Sequence, residues 1–207
     1  MRITPQAKIA TRERILTSAA KLFAANGWDG TTTRDIAIAA QVATGTLFNY
    51  FQSKEAVLAA LVAEALAKAK YDVEQGCRQS LEEDLFAFMY SGLKSLRKFR
   101  TVLASAAETI FSPIARSSAH AWAGDSIRAH HLEQVERILA AHGISRPMPA
   151  ITLQLYWTLY LGIFAYWAAD NSPRQEDTLA LLDHSLKLFI GSLAGPEGVK
   201  NHARESE

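Results

Sequence analysis

Between Thr32 and Lys54 the chain reads T-T-R-D-I-A-I-A-A-Q-V-A-T-G-T-L-F-N-Y-F-Q-S-K. This is one short helical stretch, a tight turn, and a second short stretch crowded with small polar and aromatic residues. Three short helices bury little surface by themselves, so the segments before and after must brace these two. A helix-turn-helix meets that constraint, with the second helix of the pair presented to a partner and the flanking helices behind it.

The flanks supply what the bracing requires. The spacing predicts a first helix running to about Asn26, with Ile15, Leu16, Ala19, Leu22 and Phe23 on one face. Asn26-Gly27 stops it, because glycine takes the left-handed conformation without a Cβ penalty, and Trp28 then packs back on the helix. Thr32 caps a second helix, with Asp35 three residues on completing a capping box; that helix ends near Ala40. A third helix covers about Thr44 to Phe51. Ser53 caps a fourth, whose apolar positions include Val57, Leu58, Leu61, Val62 and Leu66. Further helices follow at roughly residues 80–99, 101–111, 115–142, 149–169 and 174–193, and no strand pair with hairpin chemistry occurs. The chain therefore reads as all-α, a small N-terminal unit joined to a larger helical body.

Charge is divided between the two parts. Overall the balance is only +1, but residues 1–54 carry seven Lys/Arg against three acids, and residues 55–207 carry fifteen against eighteen. A basic N-terminal unit on a mildly acidic body suits a surface that faces phosphate. In a helix-turn-helix the second helix enters the major groove N-terminus first, which puts Thr44, Gly45 and Thr46 deepest, and Asn49 and Tyr50 one turn later. Threonine hydroxyls bond phosphate or base edges, and a threonine methyl can meet a thymine methyl. Leu47 and Phe51, four apart, face inward. Arg34 is the side chain in the motif able to grip guanine O6 and N7 with two bonds. Lys54 opens the fourth helix, where its charge joins free backbone N–H groups near a phosphate.

The motifs Thr11-Arg12-Glu13-Arg14-Ile15-Leu16, Thr31-Thr32-Thr33-Arg34-Asp35-Ile36-Ala37 and Gly45-Thr46-Leu47-Phe48-Asn49-Tyr50-Phe51-Gln52-Ser53-Lys54-Glu55 resemble the N-terminal domain of TetR-family transcriptional regulators. The resemblance covers Thr11–Leu61, about a quarter of the chain. It implies an all-α fold with an N-terminal three-helix helix-turn-helix DNA-binding domain at 10–70. A larger C-terminal helical ligand-binding and dimerisation domain would follow at 71–195, with a polar tail at 196–207. It makes Arg34, Thr44, Gly45 and Tyr50 candidate base readers, and Thr33, Thr46, Asn49 and Lys54 candidate phosphate contacts. Four positions depart from the family's usual pattern. Phe48 stands for tyrosine and lacks a phosphate-bonding hydroxyl; Gln41 stands for the turn glycine and must take a left-handed conformation or shift the turn. Ala43 stands for the serine cap, and Thr44 for a frequent lysine.

By the same resemblance the last two long helices build a four-helix interface across a two-fold axis. The sequence agrees independently: residues 149–169 are apolar all round, and Leu179, Leu182, Leu186 and Phe189 form a stripe on the next helix that a second subunit would cover. Ordinary core burial is the rival reading of that stripe. A pocket among the body helices draws on Phe86, Met89, Tyr90, Phe111, Trp122, Trp157 and Phe164, and the scarcity of buried polar candidates (Gln154, His120, Glu108) fits a small, largely apolar effector.

Other classes find less support. Residues 149–169 hold no charge and reach spanning length, but Thr152, Gln154 and Thr158 interrupt them and their aromatics are spread rather than belted. A buried helix is favoured over a membrane anchor. His130 and His131 point about 100° apart on a helix and cannot easily share one ion with Glu133, so no metal is expected. No nucleophile motif, phosphate-cradling glycine loop or zinc-spaced cysteine set occurs, so neither an enzyme nor a cofactor is expected. Cys77, the only cysteine, excludes an internal disulfide, and with no apolar signal core at the N-terminus a cytoplasmic location is expected. The reading is a homodimeric, ligand-released repressor of double-stranded operator DNA. The alternative is a helical small-molecule-binding protein or enzyme whose reading head is vestigial, which would show no salt-dependent duplex binding. On the first reading, Arg34→Ala costs about 1–3 kcal/mol at one base position and relaxes selectivity there. Lys54→Ala weakens all sequences alike and lowers the salt slope by about one unit. Titrations of specific and random duplexes at several salt concentrations separate the two.

Overall fold

The computed structural model describes residues 4–68, 80–111, 121–144 and 148–193, with the side chains at 107–111 and 121–126 outside that description. The side chains of the pocket candidates Phe111 and Trp122, along with Glu108, His120, Cys77 and the expected tail at 196–207, therefore lie outside the described residues. Every regular element among the described residues is helical. In chain order they are α1 (Pro5–Asn26), α2 (Thr33–Ala39), α3 (Thr44–Phe48), α4 (Lys54–Ala67), α5 (Leu81–Leu96), α6 (Arg100–Phe111), α7 (Ala121–Ala141), α8 (Ala150–Ala169) and α9 (Glu176–Leu193). A 3-10 turn at Arg97–Phe99 joins α5 to α6, and another at Pro173–Gln175 leads into α9. By packing, the chain divides into two compact units, Met1–Lys70 with Gly92–His131, and Tyr71–Ser91 with Leu132–Glu207.

In the first unit α1 begins where Thr4 accepts the Ala7 N–H and Pro5, lacking an N–H, occupies the first turn. It ends at Gly27, whose φ of 72° only glycine adopts freely and whose N–H reaches the Phe23 carbonyl. Ile15, Leu16, Ala19 and Phe23 are buried along its seam. Trp28 folds back so that its ring centroid lies 5.6 Å from that of Phe23. Helix α4 packs on the same α1 and buries Val57, Leu58, Leu61 and Val62. The Arg12–Glu64 ion pair across them, 2.7 Å long and well exposed, contributes at most about 1 kcal/mol. Apolar burial holds the brace. Helix α2 rests on α1 and α3 rests on α2, so the short pair is backed as its length requires.

In the second unit α8 and α9 form a helical hairpin around one carboxylate. Asp170 accepts from the backbone N–H of Ser172 (2.7 Å) and of Thr178 (3.0 Å) and from the Thr178 hydroxyl. These bonds, the Thr178 hydroxyl foremost, hold its carboxyl well below the usual carboxylate range. At the other end of the unit His142 Nε2 lies 2.7 Å from Asp84 Oδ2, tying the residue after α7 to the first turn of α5.

The pairing of α8 with α9 corrects the expected subunit seam. Leu182, Leu186 and Phe189 are buried within this chain, with Phe189 edge-on to Tyr156 at 5.1 Å, and Leu179 is half-buried. The stripe is core, as its rival reading had it. Exposed apolar groups lie on the opposite faces instead: Ile151, Leu155 and Tyr166 on α8, and Leu188 on α9 at 59 % exposure. Helical spacing says which side chains share a face, but not which neighbour covers it. Phe189→Ala should therefore cost about 3–5 kcal/mol of stability. Leu188→Ala should stay within about 0.5 kcal/mol if subunit contacts are absent. Denaturant titration of the two variants at concentrations low enough to hold the chains apart checks the assignment.

Candidate nucleic-acid interface

The reading head is built from local bonds. Thr32 Oγ1 accepts the Asp35 N–H at 3.2 Å, while the Asp35 carboxylate accepts the Thr32 N–H at 2.9 Å and its hydroxyl at 2.6 Å, the reciprocal box that opens α2. Those bonds hold the Asp35 carboxyl below its ordinary range. Helix α2 closes at Ala40, and the chain reverses through Gln41 at φ 54°, the left-handed conformation that the missing glycine demanded. Val42 N–H then bonds the Ala37 carbonyl at 3.0 Å, which fixes the angle at which α3 leaves. Ala43 precedes α3 with no side-chain cap. Helix α3 is only five residues long; it ends at Phe48 rather than Phe51, and the N–H groups of Tyr50 and Phe51 both bond the Leu47 carbonyl at 2.9 Å.

Burial around α3 follows the helical wheel. Leu47 is fully buried, with Thr46 and Tyr50 half-buried on the same side. Thr44, Gly45, Phe48 and Asn49 fill a continuous exposed arc on the other. A Cβ at Gly45 would meet nothing within 4 Å, so glycine there leaves space outside the protein and is not required by the fold. The arc carries no formal charge. Arg34 is exposed on α2, and Thr33 is half-buried beside it.

Of the expected contacts, Arg34, Thr44, Gly45 and Asn49 lie in the open, while Thr33, Thr46, Tyr50 and Lys54 are half-buried. Lys54 is engaged inside the protein: its ammonium donates to the Trp28 carbonyl at 2.8 Å and stands 4.1 Å above the Trp28 ring. It locks α4 to the loop after α1, a role that spacing along the sequence does not reveal. In the sequence Phe48 stands out only by its missing hydroxyl, yet its ring is 46 % exposed on the arc. Its position four after Thr44 was the available signal.

The pocket candidates separate. Met89, Trp157 and Phe164 are buried, Phe86 is half-buried, and Tyr90 is exposed and stacked on Phe86 at 6.3 Å, so Tyr90 does not line an interior. Gln154 is no buried polar group; it bonds Thr158 one turn on, near the surface. His131 is buried, and that burial, with the charge of His130 adding to it, pushes its imidazole down to about 3. Burial thus favours the neutral imidazole. No helix among the described residues is long and apolar enough to cross a membrane.

Left-handed backbone at a non-glycine residue costs about 1–2 kcal/mol. Gln41→Gly should therefore raise stability by up to about 1 kcal/mol, after the extra freedom glycine gives the unfolded chain. Gln41→Val should lower it, because a β-branched side chain fits the turn worse. Thermal unfolding midpoints of the three proteins check the order.

Residues 15–61 match the family model of the bacterial regulatory proteins of the TetR family. The HTH-type transcriptional repressor KstR2 of Mycolicibacterium smegmatis is 42% identical over 52 residues, which span a quarter of each of the two chains. Solved structures extend the likeness to the fold of nearly the whole chain. FadR of Thermus thermophilus, a TetR-family transcriptional repressor in complex with lauroyl-CoA, aligns with a TM-score of 0.68 at 24% identity, over 86% of this chain and 93% of its own. A TetR transcriptional regulator from Rhodococcus sp. RHA1 gives 0.68 at 16% identity, over 88% and 97%. The fatty acid degradation regulator FadR of Bacillus halodurans gives 0.58 at 21% identity, over 86% and 97%. The capped α2, the reversed turn at Gln41 and the short α3 seated on Leu47 thus fall within the stretch that matches the TetR family model, and over nearly its whole length the chain is similar in fold to TetR-family regulators.

Proposed function

We propose that this chain is a cytoplasmic, homodimeric repressor that holds operator DNA through α3 and Arg34 and releases it when a small, largely apolar effector binds the C-terminal helices. The observation that carries the reading is the exposed arc of Thr44, Gly45, Phe48 and Asn49 on a helix whose opposite side is anchored by Leu47. Its narrow, Cβ-free edge at Gly45 suits close approach to a groove floor. The repressors among its relatives support the same role.

Two copies are required because one head reads only a half-site, and paired heads select sites separated by a helical turn or multiples of it. The surface we propose for the second copy is the exposed apolar side of α8 and α9, with Ile151, Leu155, Tyr166 and Leu188 at its centre. For the effector, the lauroyl-CoA bound to the Thermus relative points to a long acyl chain carried as a thioester, and the aromatic groups of α8 offer apolar contact for it. Release follows from linkage: the ligand lowers DNA affinity only by as much as it prefers the dimer shape that DNA does not.

The test uses the full chain and a duplex selected from random sequence. Expected are two chains per near-palindromic site, affinity that falls steeply with salt, and release by a long-chain acyl thioester but not by a short one. Leu188→Asp should leave the helical content intact while abolishing both dimer and operator binding. A chain that binds the thioester yet ignores every duplex in dilute salt would overturn the reading in favour of a helical binding protein with a vestigial head.

A further inference from the structure

On the DNA-reading surface one side chain has no assigned role and a costly exposure. Phe48 leaves 46 % of its surface in water, although the adjacent Leu47 is fully buried. Among the described residues its ring stacks on no other ring and faces no cation. On the wheel it falls between Thr44 and Gly45, the residues that the reading head presents first. The arc they share offers a ring, a threonine methyl, a hydroxyl and an amide, with no charge to bind phosphate. An aromatic edge in a major groove has one distinctive apolar target, the C5-methyl group of thymine, which the other bases lack there.

We infer that Phe48 reads a thymine methyl in each half of the operator and so fixes one T·A pair of the half-site. The inference rests on the DNA-binding reading above. It adds a base contact of a different chemistry from the guanine grip expected of Arg34. It also gives the departure from tyrosine a consequence: the hydroxyl that would bond phosphate is absent, and a wholly apolar edge faces the bases instead.

Deoxyuridine is thymidine without the methyl, which makes the test direct. Each thymine of the selected half-site is replaced symmetrically by deoxyuridine, and binding of the wild-type chain is compared with that of Phe48→Ala and Phe48→Leu. The wild type should lose about fourfold per half-site at one position, the factor for returning one methyl group to water. Phe48→Ala should bind the thymine site more weakly and show no further loss with deoxyuridine. Phe48→Leu should keep part of the discrimination, and 5-methylcytosine in place of the selected thymine should recover part of the wild-type contact. Wild-type binding that is indifferent to deoxyuridine at every position overturns the inference, as does Phe48→Ala losing affinity while remaining equally methyl-sensitive. Either result leaves operator binding itself intact. Failure of the wild type to bind any duplex overturns the DNA-binding reading instead. Far-ultraviolet circular dichroism of the variants confirms that a loss comes from the contact and not from unfolding.

Discussion

A helix of five residues cannot hold itself together in water, because nucleation fixes several residues for a single hydrogen bond. Helix α3 exists because Leu47 is buried beneath it and because the N–H groups after it close onto the Leu47 carbonyl. Burial of a leucine side chain contributes about 1.5–3 kcal/mol, more than such a helix can draw from propensity. That anchor in turn needs α2 behind it, and α2 needs α1. Helix α4 completes the brace against α1, pinned by Lys54 on Trp28. The reading surface is thus an outcome of packing several layers away from it.

The same arrangement explains where local rules are broken. Gln41 sits in left-handed backbone and Ala43 leaves α3 without a side-chain cap, each a local cost on the order of 1 kcal/mol. Neither lies within the buried seam, so the packing that holds the short pair is left undisturbed. Such lapses of local consistency gather at functional sites because the partner, not the fold, selects the residues there. The exposed arc of α3 follows suit: a glycine, an unpartnered phenyl ring and two small polar groups are poor choices for a solvated helix face and apt ones for a groove.

The second unit poses a different problem, a helix apolar around its whole circumference. Helix α8 solves half of it internally by burying Tyr156, Tyr160, Phe164 and Trp167, with α9 covering part of that face. Burial raises both tyrosine phenols well above their usual range, so they remain neutral donors. The other half stays open at Ile151, Leu155 and Tyr166, a cost in water that association of two chains would remove.

The helices, their caps and the reading head were legible in the sequence because each is specified by neighbours within four residues. The Thr32–Asp35 box, the Gly27 stop, the Ser53 cap and the inward Leu47 all depend on such spacing. The irregularity at Gln41 was legible for the same reason, as left-handed backbone or a shifted turn, and the structure takes the left-handed form. What the sequence left open was decided by contacts between residues far apart along it. Lys54 lies 26 residues from the carbonyl it bonds, so a charge suited to phosphate became a clamp on Trp28. The stripe from Leu182 to Phe189 was visible as a stripe, but only the meeting of α8 and α9 made it core and turned Leu188 outward. Periodicity reveals that a face is apolar; which surface covers it is a property of three-dimensional packing alone.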